Sequence, residues 1–222
     1  TGSNLAAEGL MNPQIAYGED VISRISYAID QDGHTLQQAA VDGINCLTGE
    51  LCEETGLARD WITDVVLVGN TAMHHLFLGL PVRQLMLAPY VPAVTGSLST
   101  KSRDVGLAVS PGAYIYTLPN IAGFVGADHV AMLLAAGLDG IPATTIGIDI
   151  GTNTEITLCS KDQMRSCSCA SGPAFEGAHI KDGLRAVAGA IEKVRIDGDS
   201  VTLQTIDDRP PIGLCGSGVL DA

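Results

Sequence analysis

Apolar positions recur every three to four residues over 19–29, where Val21, Ile22, Ile25 and Ile29 share one face, and again over 35–55 ahead of Gly56. Both segments predict helices, the second closed by its glycine. Residues 64–69 (DVVLVG) form a continuous apolar run, the pattern of a strand buried on both faces. That run leads through Asn70 into a helix predicted to reach Leu80. Residues 81–112 hold several prolines and no sustained period, which predicts an ordered excursion between elements. A short strand is predicted over 113–118, an alanine-rich helix over 125–137 and a second buried strand over 144–150. Residues 154–159 predict the hairpin partner of that strand, across the turn 151–153. Two more strands, 190–196 and 201–206, flank Asp197-Gly198-Asp199. A last helix begins near Gly216.

Hairpins mixed with strand–helix units predict an α/β fold with mixed sheets. DVVLVGNTAMHH (64–75) and PPIGLCGSGVLD (210–221) echo one another, each passing from an apolar strand through a small-residue turn into a helix. An echo at that separation predicts two related lobes rather than a short repeat.

The chain has 222 residues, enough for one large domain or two small lobes, and a formal net charge of −13. Such a surface repels phosphate backbones, so neither nucleic acid nor an anionic membrane is an expected partner. ATP is also an anion, so an ATP site here must rely on local backbone N–H groups and a metal ion. The six cysteines show neither a CxxC pair nor the ferredoxin spacing C-x4-C-x2-C. They read as thiols of a reducing cytoplasm. Cys167 and Cys169 would face one side of a strand. No apolar run approaches the ~20 residues of a membrane span.

The segment with most chemistry is Gly147-Ile148-Asp149-Ile150-Gly151-Thr152-Asn153-Thr154-Glu155. A strand delivers an acid into a Gly-Thr-Asn-Thr turn whose N–H groups and hydroxyls can cradle a phosphate. Gly151 permits close approach, and Asp149 can hold magnesium or position a water. An ordinary hairpin with an exposed acid fits these residues equally well. Upstream, Asn120 to Asp128 leads into a helix with a small-residue face. Downstream, Gly213-Leu214-Cys215-Gly216-Ser217-Gly218 opens another helix, where glycines leave room for a nucleotide.

The runs NPQIAYGEDVISRI (12–25), VGNTAMHHLFLGLPV (68–82), APYVP (88–92), LPNIAGFVGAD (118–128), IDIGTNTEI (148–156), SGPAFEGAHIKDGLRAVAGAI (171–191) and GLCGSGVLDA (213–222) span nearly the whole chain. As a set they resemble the nucleotide-binding domain of the ATP-dependent reductive activators of corrinoid proteins. The resemblance implies an actin-like, ribonuclease H-like two-lobed ATPase fold. Residues 1–142 would be the remainder of the first lobe, with its hinge helix, and 143–222 the second lobe. It implies ATP and Mg2+ as ligands, with a [2Fe-2S] cluster in an N-terminal domain outside this chain. It also implies a corrinoid protein as partner, reduced from cobalt(II) to cobalt(I), an electron donor to the iron–sulfur domain, and compatibility with a homodimer. By the same resemblance Asp149, Gly151, Thr152, Asn153 and Thr154 would hold phosphate and magnesium. Gly216, Ser217 and Gly218 would lie near adenosine, and Asp128 would face the cleft from the hinge.

The first phosphate loop of that family would lie upstream of Thr1, so both termini read as cuts and the chain alone is expected to lack ATPase activity. Thr154 stands where many relatives carry glycine. The rival readings are a small-molecule kinase of the same superfamily and a non-catalytic module that docks a corrinoid protein. Among other candidates, His74 and His75 are adjacent and read as packing or partner-contact residues rather than a metal pair. His129 reads as a contact near the lobe interface. Glu176 has two readings, a helix cap, taken as the default, or a contact to the site. Cys215 breaks a G-x-S-x-G elbow around Ser217, and no Walker A motif is present.

Overall fold

A computed structural model describes residues 2–161, 163–177 and 180–221. Ala178, His179 and Ala222, which belong to two of the motifs above, lie outside the described residues. The chain divides into two compact units, Thr1–Gly137 and Leu138–Ala222.

In the first unit, α1 (Val21–Tyr27) begins on a capping box in which Asp20 accepts from the Ser23 N–H at 2.7 Å. The long helix α2 (Gly33–Thr55) starts at Asp32, which accepts the His34 N–H, and stops at Gly56 in the left-handed region. Strand β1 (Asp64–Leu67) then passes through the N-cap Asn70 into α3 (Thr71–Phe77). The excursion predicted over 81–112 contains regular structure: strand β2 (Leu98–Lys101) and one helical turn, α4 (Ser102–Val105). Four-residue elements are too short for a period to show. Strand β3 (Tyr114–Thr117) lies between the other two, parallel to β1 and antiparallel to β2. Helix α5 (Ala127–Ala135) follows. Ala40, Val41, Phe77 and Ile115 share one core, and Ile25, Leu36, Ala72 and Leu76 share another; together they join α1, α2, α3 and one face of the sheet.

The second unit opens with a three-stranded antiparallel sheet, β4 (Thr145–Ile150), β5 (Asn153–Ser160) and β6 (Gln163–Ala170). Strand β6 goes beyond the hairpin read from the sequence, and it carries Cys167 and Cys169, both exposed. A short 3-10 turn, Pro173–Glu176, leads on to β7 (Ala190–Asp197) and β8 (Ser200–Thr205), an antiparallel pair. Strand β9 (Gly213–Leu214) pairs parallel with β7 and runs into α6 (Gly216–Asp221). Both echoed segments therefore form a parallel strand followed at once by a helix.

Two strands expected to be buried on both faces are open on one. Val66 of β1 is 66% exposed, and Ile146, Ile148 and Ile150 of β4 are 59%, 53% and 41% exposed. Alternate residues of a strand face opposite sides, and within its own unit each strand has no layer of described residues over this face.

Candidate functional site

Asp149 and Glu155 stand directly opposite one another on β4 and β5, both half-buried, and Glu155 accepts the Ser168 hydroxyl at 2.9 Å. Ile150 pairs with Thr154, so Gly151, Thr152 and Asn153 form the connection between the strands. Thr152 is held on every polar atom. Its carbonyl accepts the N–H groups of Ser171 and Gly172, at 3.1 and 2.9 Å. Its own N–H and hydroxyl both donate to one carboxylate oxygen of Glu176, at 2.5 and 2.7 Å. Bonds to an ionised acceptor at such lengths are among the stronger hydrogen bonds of proteins. A Cβ on Gly151 would come within 3.3 Å of that same oxygen.

Glu176 thus contacts the turn, the second of its two readings, rather than capping a helix. Its carboxylate crosses 24 positions of sequence to reach the turn, and no local spacing announces such a contact. The available signal was compositional: an acid flanked by Gly172-Pro173 and Gly177, residues that set a tight loop rather than a helix. Thr154 is buried and its hydroxyl accepts from Ser171 at 2.7 Å, so this side chain ties β5 to the segment after β6.

The residue before Glu176 reaches the other predicted loop. Gly216 opens α6 against the Phe175 carbonyl oxygen, which a Cβ would overlap, and Gly218 sits likewise against the Ile191 carbonyl. The two glycines therefore admit the protein's own backbone, a packing reason distinct from the room for a nucleotide read from the sequence. Ser217 is exposed, its hydroxyl 3.3 Å from the Cys215 sulfur. The structure brings Thr152 and Gly216 against one short segment, 171–177, where Glu176 holds the first and Phe175 meets the second.

Asp128 belongs to the other unit. Its N–H donates to the Gly69 carbonyl at 3.3 Å, and its carboxylate accepts the His129 N–H at 2.9 Å. It lies beside the β1–α3 turn, where Gly126 packs against Asn70 and Thr71. On α3, His74 and His75 are fully buried in a network of hydrogen bonds, as their reading as packing residues requires.

The turn fits phosphate. A carboxylate oxygen stands where two converging donors could hold a phosphate oxygen. Among the described residues no group of three or more His, Cys, Asp or Glu could hold a metal. Magnesium carried on ATP needs only one or two carboxylates beside the phosphates, and this hairpin carries two, Asp149 and Glu155, paired across β4 and β5. Among the same residues no helix is long and apolar enough to cross a membrane.

The mixed α/β architecture, with its strand–turn–strand hairpin, fits the actin-like (ASKHA) fold class. A family profile described as the RACo middle region matches residues 1–140, and one described as the C-terminal domain of RACo, the ASKHA domain, matches 143–222. The chain belongs to this RACo family of reductive activators. It is 37% identical to the corrinoid activation enzyme RamQ of Eubacterium limosum, over 100% of this chain and 37% of that protein. It is 36% identical to the [Co(II) methylated amine-specific corrinoid protein] reductase of Methanosarcina barkeri, over 86% of this chain and 36% of that protein. A solved reductive activator for a corrinoid, iron–sulfur protein superposes with a TM-score of 0.89 at 41% identity, covering 98% of this chain and 35% of that one. The chain thus spans roughly a third of the length of these relatives.

Proposed function

We propose that this chain is the nucleotide-binding part of an ATP-dependent activator that reduces a corrinoid protein from cobalt(II) to cobalt(I) in the cytoplasm. The observation that carries the reading is the convergence of the Thr152 N–H and hydroxyl on a single anionic oxygen. In this reading the Gly151–Asn153 connection holds a phosphate, and Asp149, with Glu155 opposite, receives the magnesium that accompanies it. Gly216, Ser217 and Gly218 lie toward adenosine, and Asp128 serves the first lobe, taken as 1–142 against 143–222 for the second. Bound Mg-ATP supplies the free energy for an unfavourable reduction. The chain's part is to bind the nucleotide differently in two arrangements, because only differential affinity shifts an equilibrium. A [2Fe-2S] cluster on another segment, fed by an external electron donor, would be the immediate reductant of cobalt.

Calorimetric titration of Mg-ATP into this chain, and into a form extended at both ends, tests the assignment. Binding by the extended form, together with ATP-dependent appearance of the cobalt(I) absorption of a corrinoid protein, is the expected result. Absence of binding by both, with each shown to be folded, removes the nucleotide reading and leaves a docking module in its place.

A further inference from the structure

We infer that Glu176 is an internal occupant of the phosphate turn, a carboxylate latch that nucleotide must displace. The inference rests on the nucleotide reading above and concerns the regulation of that same site.

Residues 171–177 wrap around Thr152 by two unlike attachments. The first is backbone to backbone: the Ser171 and Gly172 N–H groups on the Thr152 carbonyl. The second is the Glu176 side chain alone, on the Thr152 N–H and hydroxyl. The segment is also anchored at its far end, where Gly177, in the left-handed region, packs against the Leu184 carbonyl. Its backbone is therefore fixed at both ends, while the latch can leave by side-chain rotation. Glu176 is exposed, so its carboxylate passes into water when it leaves.

The two donors can serve one anionic oxygen at a time. A phosphate oxygen seated on Thr152 and the Glu176 carboxylate exclude one another sterically, and two negative groups at that distance repel. With the latch in place the turn's donors are satisfied and its conformation is preset. Nucleotide then binds with an affinity reduced by the fraction of molecules in which the latch is closed.

The test uses the extended form, with Glu176→Gln and Glu176→Ala, and two readouts. Hydrogen exchange of the Thr152 amide, measured without nucleotide, reports the latch directly; slow exchange in the wild type and fast exchange in Glu176→Ala are expected. Calorimetry with Mg-ATP, magnesium pyrophosphate and adenosine reports the competition. Loss of the two charge-assisted bonds should tighten Mg-ATP and pyrophosphate about tenfold in Glu176→Ala, and less in Glu176→Gln, whose amide oxygen still accepts from Thr152, with adenosine unchanged. Fast exchange of the wild-type amide overturns the latch whatever ATP does. Slow exchange with equal or weaker Mg-ATP binding by both variants overturns it too, and makes Glu176 a support of the turn while the nucleotide reading stands. Failure of the wild type and both variants to bind any phosphate ligand removes both proposals together.

Discussion

His75 accepts the backbone N–H of Ala93 at Nε2, at 3.0 Å, while its Nδ1–H donates to the Thr71 carbonyl at 2.7 Å. A carbonyl can only accept and an amide can only donate, so the ring is neutral and its tautomer is set. The Val94 N–H points at the same Nε2, at 3.3 Å. Its neighbour His74 bonds the Thr117 hydroxyl at 3.0 Å and the Asn120 amide at 3.3 Å. The two rings tie the excursion over 81–112 and the segment after β3 to helix α3.

Acid should destabilise this arrangement from the ordinary histidine range downward. Burial, and then the neighbouring His75, push the His74 imidazole from 6.5 down to about 4. Burial also lowers His75, against an opposing pull from its bond to Thr71. The unfolded chain therefore binds more protons than the folded one below the ordinary histidine range, and stability rises with pH through that window. Denaturation midpoints should fall between pH 7 and pH 5, with His74 accounting for at most about 3 kcal/mol by pH 4. In His74→Gln the slope should flatten. A slope unchanged in that variant would refute the assignment.

Substitution of His75 by phenylalanine should free the 81–112 segment while α2 persists. The change leaves the Ala93 and Val94 N–H groups without their acceptor, a loss of roughly 1–3 kcal/mol. Hydrogen exchange should quicken at Ala93 and Val94 and stay slow in the middle of α2. Uniform quickening throughout the first unit would mean that the contact is global rather than local.

Gly216→Ala should destabilise the second unit by roughly 2–4 kcal/mol, because its Cβ would overlap the Phe175 carbonyl oxygen. Thermal unfolding measures this loss. Gly198→Ala, in an open turn at positive φ, serves as a milder comparison. Equal effects would show that the close approach at α6 contributes nothing.

Asp149→Asn should remove the magnesium dependence of ATP binding by the extended form while leaving its fold intact. The expected change is a loss of about tenfold or more in affinity for Mg-ATP, with metal-free ATP affected little. Calorimetry with and without magnesium decides it. Unaltered Mg-ATP binding and turnover would take Asp149 out of the site.

The helix α2, bounded by Asp32 and Gly56, and the hairpin about 151–153 were legible in the sequence, because caps, turns and hydrophobic periods act over a few residues. So was the packing role of His74 and His75, at least in outline. The runs of matching motifs carried the family. Strand β2 was harder to read: four residues show no period, and its pairing with β3, like that of β9 with β7, comes from other parts of the chain. The exposure of Val66 and Ile148 belonged to the tertiary structure as well, since an apolar run states what a strand could bury and not what lies against it. Above all, the bond from Glu176 to Thr152 and the seat of Gly216 on Phe175 join residues distant in sequence. Such contacts depend on where the sheets and loops place the backbone, a collective outcome of packing that no local pattern encodes.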